Sequence, residues 1–365
     1  MPMNDVGERI RRARKAAGLS QAELADAIRV SQATVSSWES GSHGPNHEHF
    51  EQIGRAVGRS PGWVAFGETG DGAALPDRIV SPADNTATTI AFQGVPGAFS
   101  HLACRTAFPQ LEPMPCKTFD DAFATVEDGR ADLAMIPIEN SLGGRVADIH
   151  HLLPDSNLYI IDEYFQPVQH HLLAVKGATL AGLKTVLSHE QGLAQCRDIV
   201  RELKLDATVW ADTAGAAQEV AERGDPKVAA IASELAGEIY GLTALRNRIE
   251  DRLGNVTRFV VMSRRRVEPD PRAGTCLTSL VFQVRSVPAA LYKALGGFAT
   301  NGVNLVRLES YISEGMAGTV AQFYIEAEGH PSDKAMDHAF DELHFYSNKA
   351  KILGVYPAHP FRQES

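Results

Sequence analysis

Between residues 89 and 264, short β-branched runs alternate with alanine-rich stretches, and this alternation constrains the fold more than any other feature. Residues 89–92, 132–136, 171–175, 185–187, 208–210 and 228–231 read as strands with helical periodicity between them. That pattern predicts an α/β fold with open sheets. The strands run into loops rich in glycine, hydroxyl and amide groups, at residues 93–100, 137–144, 188–192, 212–217 and 233–234. In open α/β sheets ligands sit beyond the carboxyl ends of strands, where helices begin. Helix starts offer unpaired N–H groups and favour negative charge. Together with Asn255–Phe259, these loops predict a cleft for a small, doubly charged acid.

A chain of 365 residues is long for one core, so two or three domains are expected. The formal charge of −10 gives no global nucleic-acid footprint. Cys104, Cys116, Cys196 and Cys276 are scattered without a C-x-x-C pair, as expected of buried, reduced thiols in a cytosolic protein. The N-terminus has no apolar signal core and no apolar run approaches a membrane span, so the expected setting is cytoplasmic with no membrane partner. There is also no metal-spaced His/Cys cluster, phosphate loop or nucleophile elbow, and no cofactor is expected.

Residues 6–67 read as a separate all-α block. Ser20 and Glu23 form a capping box ahead of Leu24, Ala25 and Ile28. Ser31 caps a second helix that turns Val35 and Trp38 inward, and Ser60-Pro61 starts a further one. Residues 18–41 resemble the helix-turn-helix of phage-repressor-type DNA-binding domains. By that resemblance residues 31–42 form the recognition helix, and DNA is a possible partner through residues 20–42. This helix carries Gln32, Thr34, Ser36 and Ser37 but no lysine or arginine, and Glu39 sits where a basic residue is common. Arg9, Arg11, Arg12, Arg14 and Lys15 are the candidate phosphate contacts. Two readings stay open, specific DNA binding and a dimerisation or regulatory relic. Residues 68–88, with Gly70, Gly72, Pro76 and Pro82, read as a linker.

Residues 276–357 read strand, helix, strand, strand, helix, strand, an α+β ferredoxin-like order. Pro288, Ala289, Ala290 and Leu291, followed by Gly302 and Asn304, resemble the amino-acid site of an ACT domain. The usual Glu-Ser-Arg-Pro run of that site is here Glu309-Ser310-Tyr311-Ile312.

The second block carries Pro137–Ser141, Asp212–Ala217 and Thr257-Arg258-Phe259 in the order of the prephenate dehydratases, and residues 89–264 resemble their catalytic domain. An ACT domain following it is the order that family shows. The resemblance implies a two-lobed catalytic domain like a periplasmic binding protein. It implies decarboxylating dehydration of prephenate to phenylpyruvate in phenylalanine synthesis, with feedback by L-phenylalanine and a homodimer or homotetramer. Thr257 matches the family's essential threonine. A threonine hydroxyl donates a hydrogen bond to a departing hydroxyl without being ionised. The expected substrate contacts are Asn140, Ser141, Gly143, Ser188, His189, Thr213, Ala214, Arg258 and Phe259. The expected amino-acid contacts are Pro288, Ala289, Ala290, Leu291, Gly302, Asn304 and Ser310. Arg258 either pairs with a substrate carboxylate or locks the fold through a Glu or Asp. Glu139 would be repelled by a dianion, so it is expected to orient Asn140, Ser141 or Arg145. Three alternatives stay open, a metabolite sensor acting through the helix-turn-helix, a bifunctional enzyme-repressor and an arogenate dehydratase.

Overall fold

In a computed structural model of the chain, which describes residues 6–40, 45, 47–57, 87–146, 149–272, 274–315 and 318–363, Ser20 and Ser31 each start a helix. Ser20 accepts from Glu23 N–H while the Glu23 carboxylate accepts from Ser20 N–H, the reciprocal pair that satisfies two otherwise orphaned donors. The N-terminal helices are α1 (Val6–Ala16), α2 (Gln21–Ala27), α3 (Gln32–Glu39) and α4 (His47–Val57). Ile10, Leu24, Val35, Trp38 and Ile53 meet in one small core. Residues 60–61 and nearly all of the expected linker lie outside the described residues.

The charges of this block are not where the sequence put them. Glu39 is buried and takes a bidentate contact from Arg14, with Nε to Oε1 at 2.5 Å and Nη2 to Oε2 at 2.9 Å. Gln21 donates to the same carboxylate. Glu39 therefore ties α3 to α1 and α2 rather than facing a partner. Arg9 and Arg14 are themselves buried, which removes them from the expected phosphate contacts. Arg12 and Lys15 remain exposed.

The second compact unit, Ile79–His359, contains two sheets. One runs β13-β14-β12-β15-β5-β11-β3-β1-β2, with β4 paired to β3. Its first-half strands are β1 (Thr89–Gln93), β2 (Glu112–Cys116), β3 (Leu133–Asn140), β4 (Gly144–Arg145), β5 (Tyr159–Pro167) and β11 (Val256–Ser263). The other sheet is ordered β10-β6-β9-β7-β8, from β6 (His171–Ala174), β7 (Thr185–Ser188), β8 (Asp206–Val209), β9 (Val228–Ala232) and β10 (Thr243–Arg246). The chain crosses between the sheets twice, after β5 and after β10. The two crossings are bonded to one another, Val168 N–H to Asn255 O and Ile249 N–H to His170 O.

The last strands are β12 (Cys276–Val284), β13 (Leu305–Gly315), β14 (Gly318–Glu328) and β15 (Ser347–Pro357), with helices Ala290–Thr300 and Lys334–Tyr346. They form an antiparallel sheet in the order β13-β14-β12-β15, and both helices pack Phe298, Met336, Phe340 and Leu343 into its core. The sequence separates this block from the one before it, whereas the structure joins them in one sheet, with β15 meeting β5 in parallel at Gly354 and Ile160. A Cβ on Gly354 would collide with the Ile160 backbone, so only glycine allows that approach. β2, with Pro113 and Pro115, is an edge strand, the position that tolerates missing donors.

Candidate active site

Thr257 is the second residue of β11. Because β11 runs antiparallel to β3, its first residues lie beside the last residues of β3, and Thr257 faces Asn140 in register. The pairing shifts between Arg258 and Phe259, a bulge that leaves Ile138 without a register partner on β11 and re-aims the strand end. The site therefore lies at the carboxyl end of β3, where the rule for open sheets places it.

The side chain of Asn140 organises that end. Its Oδ1 accepts from Gly143 N–H at 2.7 Å and Leu142 N–H at 3.0 Å, so its amide nitrogen faces the other way. Nδ2 donates to Thr257 Oγ1 at 3.0 Å and to Asn255 Oδ1 at 2.7 Å. Thr257 is thus an acceptor towards Asn140, which leaves its own O–H proton free for another acceptor. Ser141 Oγ accepts from Val256 N–H at 3.0 Å and holds the same loop.

Asn255 carries the network into the crossing segments. Buried beside Asn140, it donates through Nδ2 to Gln195 Oε1 at 2.8 Å. His170 Nε2 meets the same oxygen at 2.9 Å. Burial lowers the proton affinity of His170, partly offset by Gln195 and Glu250, so its ring is held towards the neutral form. An unbroken set of polar contacts thus runs from Thr257 to the second sheet. Asn255 and Gln191 lie in stretches expected to line the cleft but carry no expected contact of their own, and Gln195 is not among the expected site residues. Their signal was present, since Asn255 stands two residues before Thr257 and Gln191 and Gln195 follow the β7 loop.

The expected second-sheet contacts fare unevenly. His189 caps the helix Glu190–Gln195, its Nδ1 accepting from Gln191 N–H. Thr213 opens the helix Thr213–Arg223 behind the Asp212 cap, half-buried. Ser188 is fully buried and donates to Ile231 O at 2.7 Å, so its hydroxyl is spent inside the lobe. The Ala214 side chain is core, leaving only its backbone for a ligand. Gly143 lies close to this lobe, and a Cβ there would stand 3.4 Å from Gln191 Nε2. His170 and His171 are both buried, because 168–170 is a crossing segment without strand alternation.

Arg258 and Phe259 are corrections as substrate contacts. Arg258 is 3% exposed, with Nε 2.8 Å from Glu163 and Nη1 2.7 Å from Glu326. Its Nη2 donates to Tyr356 at 3.1 Å, and Tyr356 meets Ser279 at 2.7 Å. Of its two open roles, the guanidinium takes the locking one, joining β5 and β11 to β12, β14 and β15. Phe259 packs with Ile90, Phe92, Met135 and Val261 in the core and is 1% exposed.

In the last block, Ala289 is left-handed (φ 59°, ψ 24°) ahead of the helix Ala290–Thr300. Pro288 is exposed beside it, Ala290 is buried and Leu291 is half-buried. Gly302, at φ 72°, and Asn304, which donates to Glu328 at 3.0 Å, follow the other end of that helix. The Ser310 carbonyl accepts from Arg145 at 3.0 Å.

The prephenate dehydratase family model matches residues 90–267, and a helix-turn-helix model matches residues 10–64. A bifunctional N-acyl-homoserine lactone acylase/prephenate dehydratase of Komagataeibacter europaeus is 51% identical over 75% of this chain and 98% of that protein. The chain belongs to the prephenate dehydratase family. Among solved structures, the quorum-quenching acylase GqqA is 52% identical over 75% of this chain and 99% of that one, with a TM-score of 0.71. The Arthrobacter aurescens prephenate dehydratase, solved with L-Phe, is 33% identical over 74% and 90%, with a TM-score of 0.68. The chain is accordingly an enzyme whose helix-turn-helix region precedes its dehydratase part.

Proposed function

We propose that Thr257 drives the decarboxylating dehydration of prephenate, with Asn140 fixing the direction of its hydroxyl. Breaking the bond to the ring carboxylate releases carbon dioxide and sends its electrons into the ring. The ring becomes aromatic as the hydroxyl across it departs. That hydroxyl leaves as water after taking up one proton, and the Thr257 O–H donates to it while negative charge develops. The observation that carries this reading is the Asn140 Nδ2 contact, which uses an acceptor lone pair of Thr257 and spares its proton. The Ser141 hydroxyl, His189 and Thr213 are the candidate partners of the two carboxylates. Assaying the purified chain for phenylpyruvate from prephenate, beside phenylalanine from arogenate, tests both the activity and the preferred acid.

We read residues 276–357 as a regulatory ACT domain that binds L-phenylalanine between two copies of the chain, following 6–67, 68–88 and 89–264 as helix-turn-helix domain, linker and catalytic domain. The strand order supports this, as do Glu309 and Ser310 on the edge strand β13. The Pro288–Leu291 and Gly302–Asn304 positions flank opposite ends of an 11-residue helix, about 16 Å long. A ligand as small as phenylalanine touching both kinds of site needs two chains, in a dimer or tetramer. Calorimetry with millimolar phenylalanine tests it, and absence of heat counts against it.

DNA contact through α3 rests on exposed Gln32 and Ser36, with Arg12 and Lys15 exposed on α1. Binding that persists at 0.2 M salt would support specific contact over counterion release alone. A second activity is supported by the Komagataeibacter relative, whose description includes an N-acyl-homoserine lactone acylase. Release of homoserine lactone from an acylated substrate tests it.

A further inference from the structure

We propose that Arg307, supplied by the C-terminal block, is a positioning residue for the dehydratase site. Arg307 lies on β13 and its Nη1 is bonded to the Glu139 carboxylate on β3. Its Nη2 is 3.0 Å from Glu309 Oε1. Arg145, paired with Glu139 across the β3–β4 ladder, is 3.7 Å from Glu309 and donates to the Ser310 carbonyl. Two carboxylates and two guanidinium groups thus form a neutral chain of charge, Glu139–Arg307–Glu309–Arg145, between the loop 139–145 and β13.

This chain of charge acts on the reacting hydroxyl through the backbone. Successive strand residues point to opposite faces, so the contact that grips Glu139 fixes the strand end from the side opposite Asn140. Asn140 in turn sets the loop through Leu142 and Gly143 and donates to Thr257. The Arg307 side chain is 11% exposed and that of Glu139 39%, so the guanidinium is held in place while water partly screens the pair. A small displacement of a positioning group costs rate more than affinity. Any ligand that moves Glu309 or Ser310 also moves Glu139 through the same four side chains.

This inference rests on the Thr257 reading, and the experiment separates the two. Prephenate turnover is measured for the full chain, R307Q, R307K, E139Q and the R307Q/E139Q pair, with Thr257→Ala alongside. The expected result is a kcat loss of about tenfold in R307Q and in E139Q, with KM within about twofold. The double variant is expected to be no worse than either single one, and R307K to recover part of the loss. R307Q at the parent kcat, or additive losses in the pair, would overturn the proposal. Should R307Q fail to fold, E139Q at the parent kcat has the same meaning. An active Thr257→Ala would instead sink the catalytic reading itself.

Discussion

Asn140 Nδ2 donates to Thr257 Oγ1 across the β3–β11 ladder at 3.0 Å, and two backbone N–H groups on its Oδ1 prevent the amide from turning round. The direction of one hydrogen bond therefore decides which way the threonine proton points. Asn140→Asp removes that donor and offers the Thr257 proton a rival acceptor. A kcat loss of at least about a hundredfold is expected, comparable to removing one donor at a developing charge. The loss should shrink as the pH is lowered and the new carboxyl group takes up a proton. A pH–rate profile checks both points.

Arg258 predicts a stability effect rather than a binding one. Removing it as Arg258→Met leaves Glu163 and Glu326 buried without their cation, a loss of about 3–5 kcal/mol. Denaturant unfolding measures it. Replacing both glutamates and the arginine together by apolar residues should recover most of the loss, because no charge is then left unpaired.

How far the sequence could be read follows from what each residue depends on. The Ser20 box, the Ser31 cap and the α/β alternation are local, and each is found where the sequence places it. Arg258 and Ser188 were misread because their partners are remote in sequence, Glu326 for one and the Ile231 carbonyl for the other. The link from Asn255 to Gln195 is illegible for the same reason, since it appears only where the two crossing segments meet. The strand β5 escaped notice because Asp162, Glu163 and Gln166 interrupt its apolar run, and only the buried arginine explains the glutamate.

Ala289 holds a left-handed conformation that costs a residue with a Cβ about 1–2 kcal/mol. Ala289→Gly relieves that strain while adding chain entropy to the unfolded state. A net gain of about 0.5 kcal/mol is expected, read as a raised denaturation midpoint with an unchanged slope.

His170 sets a pH dependence of stability. Burial depresses its affinity for a proton below the ordinary 6.5, with His171 adding to the effect while Gln195 and Glu250 oppose it. Below pH 6.5 the unfolded chain then binds more protons at this position than the folded one. Stability is complete above that pH and declines as pH falls through the window down to the depressed folded value. His170→Gln should flatten that part of the curve, as urea unfolding between pH 5 and 7.5 would show.

Turnover of prephenate by the parent chain, Thr257→Ala and Thr257→Ser, with substrate binding measured separately, tests the mechanism most directly. A donated hydroxyl predicts a fall in kcat of two or more orders of magnitude for alanine, about 3 kcal/mol of barrier, with binding nearly unchanged. Serine, which keeps the hydroxyl, should lie much closer to the parent. An alanine variant within a few fold of the parent would contradict the assignment of Thr257 as the group that helps the hydroxyl leave.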